Sequence, residues 1–203
     1  MNFYNKYILP RLINSAMSKE GNNQHRKDVT SCVSGVVCEI GFGSGLNILY
    51  YKNITKLYAL EPSQELYELA KEKVSGTSFV VEHLASSAES IPLSENSVDY
   101  VVSTWSLCSI PHPEIALKEV FRVLKPKGKF VFVEHGKSPR NLVAKIQKFL
   151  TPIQKQISGG CHLDRDIEKL VLDAGFTIET MKKFEVGYKP LAYMYQGVVL
   201  VNK

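Results

Sequence analysis

The sequence predicts an α/β protein: a doubly wound, mainly parallel sheet of seven strands, helices on both faces and an antiparallel hairpin at the C-terminal end. Three observations predict it. Val36 to Gly45 is an apolar run closed by a glycine-rich turn, the pattern of a strand covered on both faces. Short apolar stretches then alternate with segments of helical spacing as far as Gly175, which calls for right-handed crossovers between parallel strands. Two strand-like segments, 176–184 and 194–201, follow with no helix between them.

Taken in order, residues 1–34 read as an N-terminal helical lid and linker, and 35–203 as the main domain. Phe3, Tyr4, Tyr7, Ile8, Leu12, Ile13, Ala16 and Met17 suit one or two amphipathic helical pieces, with Pro10 opening or kinking the second. Asn22 to Ser34 is polar and reads as the linker into the first strand. Leu46 to Tyr51 suits a helix that starts at the glycine turn, and Lys56 to Glu61 a second strand. Ser63 can cap a helix running to about Val74, stopped by Gly76. Strands are expected at 78–84, 98–103 and 130–134, with a helix from Pro113 to Leu124 between the last two. Asn141 to Leu150 is a second amphipathic insertion, and Asp164 to Ala174 a helix ended by Gly175.

Composition narrows the function classes. A chain of 203 residues, 44% hydrophobic and 22% charged, can bury one substantial core and fits one domain. Of the net charge of +5, residues 1–27 hold +4, from five cations against Glu20. The basic excess is confined to one end and not interleaved with aromatics, so nucleic acid is not an expected partner. That end could instead touch an anionic membrane surface, or act as a lid. Cys32, Cys38, Cys108 and Cys161 lack Cys-x-x-Cys spacing, and with a glycine-loop fold they suggest a reducing cytoplasm. The five histidines are scattered, with no metal motif among them. No apolar run approaches the roughly 18 residues of a membrane span, and no secretory pattern opens the chain, so a soluble protein is expected.

The chemistry lies in two places. Gly41, Gly43 and Gly45 let a ligand lie against the main chain. A dinucleotide fingerprint would need a glycine where Leu46 stands. Glu39, two residues ahead of the turn, would repel a phosphate and receive an ammonium group, so the ligand should carry positive charge. Glu61 closes the second strand twenty positions after Gly41, the separation at which a carboxylate accepts both hydroxyls of an adenosine ribose.

With these residues the chain resembles the class I S-adenosylmethionine-dependent methyltransferases, a Rossmann-like family whose first motif is acid-x-Gly-x-Gly-x-Gly with an acid closing the second strand. Residues 87–93 resemble the family's adenine-side loop, 97–103 its fourth strand and 123–129 the turn before its fifth. Segments 107–109, 133–136 and 159–163 look like a narrower group that includes the methyltransferase-like thiol S-methyltransferases of animals and their bacterial relatives. Phospholipid N-methyltransferases of bacteria share the same organisation.

The resemblance implies S-adenosylmethionine as cofactor, S-adenosylhomocysteine as product and a small-molecule acceptor, with thiol, amine and lipid headgroup all open. It implies that Glu39 orients the methionine ammonium directly or through water. Gly41, Gly43 and Gly45 would allow close approach, and Glu61, with Pro62 beside it, would bind the ribose. Ala88 and Glu89 would lie along adenine, while Ser103 and Thr104 offer backbone contacts near the methionine portion. Ligands of open parallel sheets sit beyond the carboxyl ends of the strands, which makes Trp105, Cys108, His112, Glu134 and His135 pocket candidates. His135 is the candidate catalytic residue, a base near pH 6.5 suited to deprotonating an acceptor, or else a structural histidine. Cys161, His162 and Arg165 could reach the same mouth. Two other readings stand beside this one: a cofactor-binding regulatory or interaction module without turnover, and a nicotinamide oxidoreductase, which Leu46 disfavours. Oligomeric state is open.

Overall fold

The computed structural model describes residues 8–186 and 192–203. Seven strands form one sheet: β1 (Ser34–Ile40), β2 (Asn53–Leu60), β3 (Val80–Leu84), β4 (Val98–Thr104), β5 (Leu124–Gly136), β6 (Thr177–Glu185) and β7 (Tyr193–Leu200). Their order is β3-β2-β1-β4-β5-β7-β6. The first five are parallel; β7 runs antiparallel between β5 and β6, so the expected hairpin inserts its last strand into the sheet.

Strand pleat divides the core into two layers. In β1, Val37 faces one layer and Cys38 the other; in β4, Val102 and Val101 divide the same way. One layer packs under α5 (Pro113–Val123) and α7 (Ile167–Asp173), where Ala116, Leu117, Val120, Ile167 and Val171 are fully buried. Asp166 caps α7 by accepting from the Lys169 N–H. The other layer packs under α2 (Glu20–Thr30) and the β1–β2 connection, through Val29, Val33 and Ile48.

Four local expectations are corrected. The polar stretch expected as a linker at 22–34 is mostly α2. Its Arg26, Val29 and Thr30, spaced as one helix face, are buried, while Glu20, Gly21, Gln24, Lys27 and Asp28 are exposed. The helix expected at 46–51 is a single 3₁₀ turn, Ile48–Tyr50. Asn47 and Tyr51 both turn inward to one carboxylate, and β2 begins at Asn53, so no longer helix fits. The single helix expected from 63 to 74 is two, α3 (Gln64–Glu68) and α4 (Lys71–Ser75). Ser63 caps the first as expected, and the break seats buried Ala70 where a Cβ on Gly45 would come within 3.0 Å of it. The insertion expected at 141–150 continues as α6 (Asn141–Ile157) through Pro152. The N-terminal helical piece is α1 (Leu9–Met17), with Pro10 in its first turn. Phe3, Tyr4 and Tyr7 lie outside the described residues.

Candidate functional site

A cavity of about 970 Å³ opens beyond the carboxyl ends of β1, β4 and β5, roofed by α1 and α6. Its polar half is built at the glycine turn. Gly41 has φ +64°, and a Cβ there would strike the Ser106 side chain at 2.2 Å, so the β1 turn and the loop after β4 touch because Gly41 has no side chain. Gly43 has φ +59° and open space where a Cβ would stand, so it forms a bare stretch of cavity floor. Gly45 is away from the cavity lining and packs on Ala70 and Ile48.

Glu61 stands opposite this floor, 5% exposed. Its Oε2 accepts from the Gly43 N–H at 2.8 Å and its Oε1 from the Ser63 N–H at 2.9 Å. Each oxygen accepts one backbone bond and keeps further acceptor capacity for a diol. Burial raises the Glu61 carboxyl above its ordinary pKa, against the pull of those two N–H groups. Pro62, Ala88 and Thr104 also line the cavity. A bare glycine floor facing a fixed carboxylate fits an adenosyl group carrying a sulfonium.

Other expected site residues lie elsewhere. Glu39 is 2% exposed and faces away from the cavity: Asn47 Nδ2 donates to its Oε1 at 2.9 Å and Tyr51 Oη to its Oε2 at 2.6 Å. Glu39 is thus outside the cavity lining, with one bond accepted on each oxygen from Asn47 and Tyr51. Asn47 in turn accepts from Arg26 Nη1 at 2.8 Å and donates to Thr104 Oγ1 at 3.1 Å. Arg26, which composition marks only as one of several basic residues, is buried, lies 4.9 Å over the Trp105 ring and borders the cavity. Glu89 is outside the lining; its Oε1 accepts from the His112 N–H at 2.6 Å and so ties the adenine-side loop to the start of α5. His112 is itself exposed beside Glu114.

Ser103 is also beneath the cavity wall, where its hydroxyl donates to Glu134 Oε1 at 2.6 Å. Glu134, fully buried, also accepts from the Ser106 N–H at 3.0 Å, the Cys108 N–H at 3.3 Å and the Leu107 N–H between them. This carboxylate sets the loop after β4, in which Trp105 holds φ +54°, a left-handed conformation costing a side-chain-bearing residue on the order of 1 kcal/mol.

The far half of the cavity is apolar. Leu9, Leu12, Ile13 and Met17 of α1 face Leu150, Ile153 and Ile157 of α6. Its polar point is a cluster of His135, Cys161 and Cys108, all in the lining. The two sulfurs are 3.5 Å apart. The bond with Cys108 holds the Cys161 thiol well below its ordinary pKa, aided by His135 and Arg165 and opposed by burial, while Cys108 is raised. Arg165, also buried, donates to the Leu107 carbonyl and braces the loop from behind. His162 turns toward Asp164, with Nδ1 3.8 Å from its carboxylate. Among the described residues no group of three or more His, Cys, Asp or Glu side chains could hold a metal.

Burial pushes the Glu39 carboxyl up to about 7, against the pull of Tyr51, Arg26 and Asn47. A raised carboxyl binds its proton more tightly folded than unfolded, so its contribution to stability is present below the unfolded pKa near 4.5 and lost as pH rises through 7. Glu39→Gln imitates the protonated acid at every pH. Wild type is expected to lose about 2–3 kcal/mol relative to this variant between pH 4.5 and 7.5, read by urea denaturation across that range. A constant difference across the range would show that Glu39 is ionised throughout.

A family profile described as "Methyltransferase domain" matches residues 38–132. The chain is 34% identical over 143 residues to the thiol S-methyltransferase TMT1B of Rattus norvegicus, covering 68% of this chain and 59% of the relative. It is 32% identical over 169 residues to the human TMT1B, covering 81% of this chain and 68% of the relative. Thus it spans about three fifths to two thirds of the length of these relatives. The phosphatidylethanolamine N-methyltransferase of Cereibacter sphaeroides is 28% identical over 141 residues, 68% of each chain. In fold, the chain superposes on a SAM-dependent methyltransferase of Aquifex aeolicus with a TM-score of 0.67, at 20% identity over 95% of this chain and 98% of the other.

Proposed function

This chain belongs to the class I S-adenosylmethionine-dependent methyltransferases, and we propose that it methylates the sulfur of a small apolar thiol. The cofactor supplies an electrophilic sulfonium methyl. The protein's part is to bind, align and keep water away. Glu61 would hold the ribose diol, and the Gly43 floor, Thr104, Ala88 and Pro62, which line the same cavity, would take the rest of the cofactor. His135 takes the proton of the acceptor thiol, since the thiolate is the nucleophile.

One observation carries the choice of acceptor: among the described residues Glu61 is the only acidic side chain in the cavity lining, and it belongs to the polar half. A site for an ammonium acceptor would set a carboxylate near the reacting atom. Here the apolar half holds no carboxylate and offers His135 as a proton acceptor, which suits an acceptor that must lose a proton to react. The similarity to thiol S-methyltransferases supports the same reading. In a series of straight-chain alkanethiols, kcat/KM is expected to rise about threefold for each methylene added until the cavity is filled. Equal activity on short and long thiols, or faster turnover of primary amines, would overturn it. Cofactor binding with no turnover of any acceptor would favour the non-catalytic module.

The apolar half runs out onto the surface. Leu12 of α1 and Phe149, Ile153 and Ile157 of α6 are exposed by 53%, 78%, 56% and 58%, with Lys145, Lys148 and Lys155 alongside. We place the expected peripheral membrane contact on this rim, where an apolar acceptor could pass from an anionic bilayer into the cavity. Sedimentation with vesicles containing an anionic phospholipid is expected to capture the protein and to fall at least about fivefold for Phe149→Glu. Equal capture of both proteins would remove α6 from the contact.

A further inference from the structure

Cys108 and Cys161 are 53 positions apart in sequence, but the fold holds their segments together. The His162 N–H donates to the Cys108 carbonyl at 2.8 Å, and Arg165 donates to the carbonyl of Leu107 on the same loop. Gly160 lies so close that a Cβ on it would come within 3.1 Å of the Ser109 carbonyl oxygen. Across this seam the sulfurs stand at 3.5 Å, and both face the cavity. A disulfide needs about 2.05 Å, so closing it takes about 1.5 Å of sulfur movement between backbones already hydrogen-bonded.

We propose that Cys108 and Cys161 form a reversible disulfide in the wall of the cavity, made by hydrogen peroxide that enters through the acceptor mouth. The Cys161 thiolate attacks the peroxide oxygen, the O–O bond breaks, and the distal oxygen leaves as water after taking a proton. Cys161 is then a sulfenic acid. The Cys108 sulfur displaces its hydroxyl, which leaves as water with the Cys108 proton, and the S–S bond forms. Both thiols are oxidised, and one peroxide is reduced to two waters. Cys161 is the attacking sulfur because it is part-exposed and beside His135 and Arg165, whereas Cys108 is buried. Cys32 is exposed, but burial of its sulfur raises its thiol, so it serves as an internal reference. Cys38 is buried in the core.

The bond ties the loop after β4 to the segment after α6 and removes both thiols from the acceptor half. The glycine floor and Glu61 are untouched. The oxidised protein is therefore expected to bind S-adenosylhomocysteine within about threefold of the reduced form while losing at least about tenfold in acceptor turnover. The disulfide itself is tested without any turnover, so its failure and that of the thiol reading are separable.

The reduced full chain is treated with a few equivalents of hydrogen peroxide, unfolded, alkylated with N-ethylmaleimide and weighed intact. The expected product is lighter by two hydrogens before alkylation and takes two adducts in place of the four that four free cysteines allow. A peptide map should join Cys108 to Cys161, and dithiothreitol should restore all four adducts. In Cys108→Ser, Cys161 should stop at the sulfenic acid, trapped by dimedone at least about tenfold faster than Cys32. Four adducts after peroxide, or Cys161 carried to the sulfinic acid with Cys108 still alkylated, would overturn the proposal.

Discussion

Glu61→Ala is expected to weaken S-adenosylmethionine binding by at least about a hundredfold while leaving the protein folded. Hydrogen bonds to a charged acceptor contribute about 1.5–3 kcal/mol each, and a ribose diol makes two, so their loss corresponds to a hundredfold or more in Kd. The fold tolerates the change because, of the two N–H groups that Glu61 holds, Gly43 lies in the cavity lining and Ser63 is half-buried, so water can replace the carboxylate. Glu61→Gln keeps one acceptor oxygen and should fall between. Isothermal titration of each variant, with melting curves as the folding control, separates the outcomes. Unchanged affinity in Glu61→Ala would take Glu61 out of the site.

Glu134→Ala should fail differently, through stability. It removes the one fully buried acceptor shared by the Ser103 hydroxyl and the N–H groups of Ser106, Leu107 and Cys108. Stranded buried donors cost about 1–3 kcal/mol each, so a loss of about 3–5 kcal/mol and roughly 10 °C in Tm is expected. Glu134→Gln should not rescue it, because a side-chain amide would turn an N–H toward donors. Cofactor affinity should fall as well, since Glu134 sets the loop that carries Trp105 and Ser106 against Gly41. A melting point within about 3 °C of wild type would show that this loop is held by something other than Glu134.

The sheet was legible because each strand is short, apolar and closed by a turn. Glu61 was legible too, since the spacing from Gly41 alone puts it at the end of the neighbouring strand. What stayed hidden depends on contacts across the chain. The partners of Glu39, Asn47 and Tyr51, read as ordinary residues of a helix, yet they turn its carboxylate from the ligand into the core. Helix α2 hides in the sequence because three inward residues, one of them an arginine, do not stand out in a polar stretch. Arg26 could have been noticed from its spacing with Val29 and Thr30. The wall formed by Ile153 and Ile157 continues the apolar spacing of Ile146 and Leu150 beyond Pro152, a helical signal that a proline obscures. No local pattern joins Cys108 to Cys161.

The most direct test of the account is transfer of an isotopically labelled methyl from S-adenosylmethionine in a mixture of equimolar octanethiol, octylamine and phosphatidylethanolamine vesicles, read by mass spectrometry of each acceptor. The account predicts label on the thiol sulfur, with S-adenosylhomocysteine formed in equal amount. Label on nitrogen with none on sulfur would contradict it.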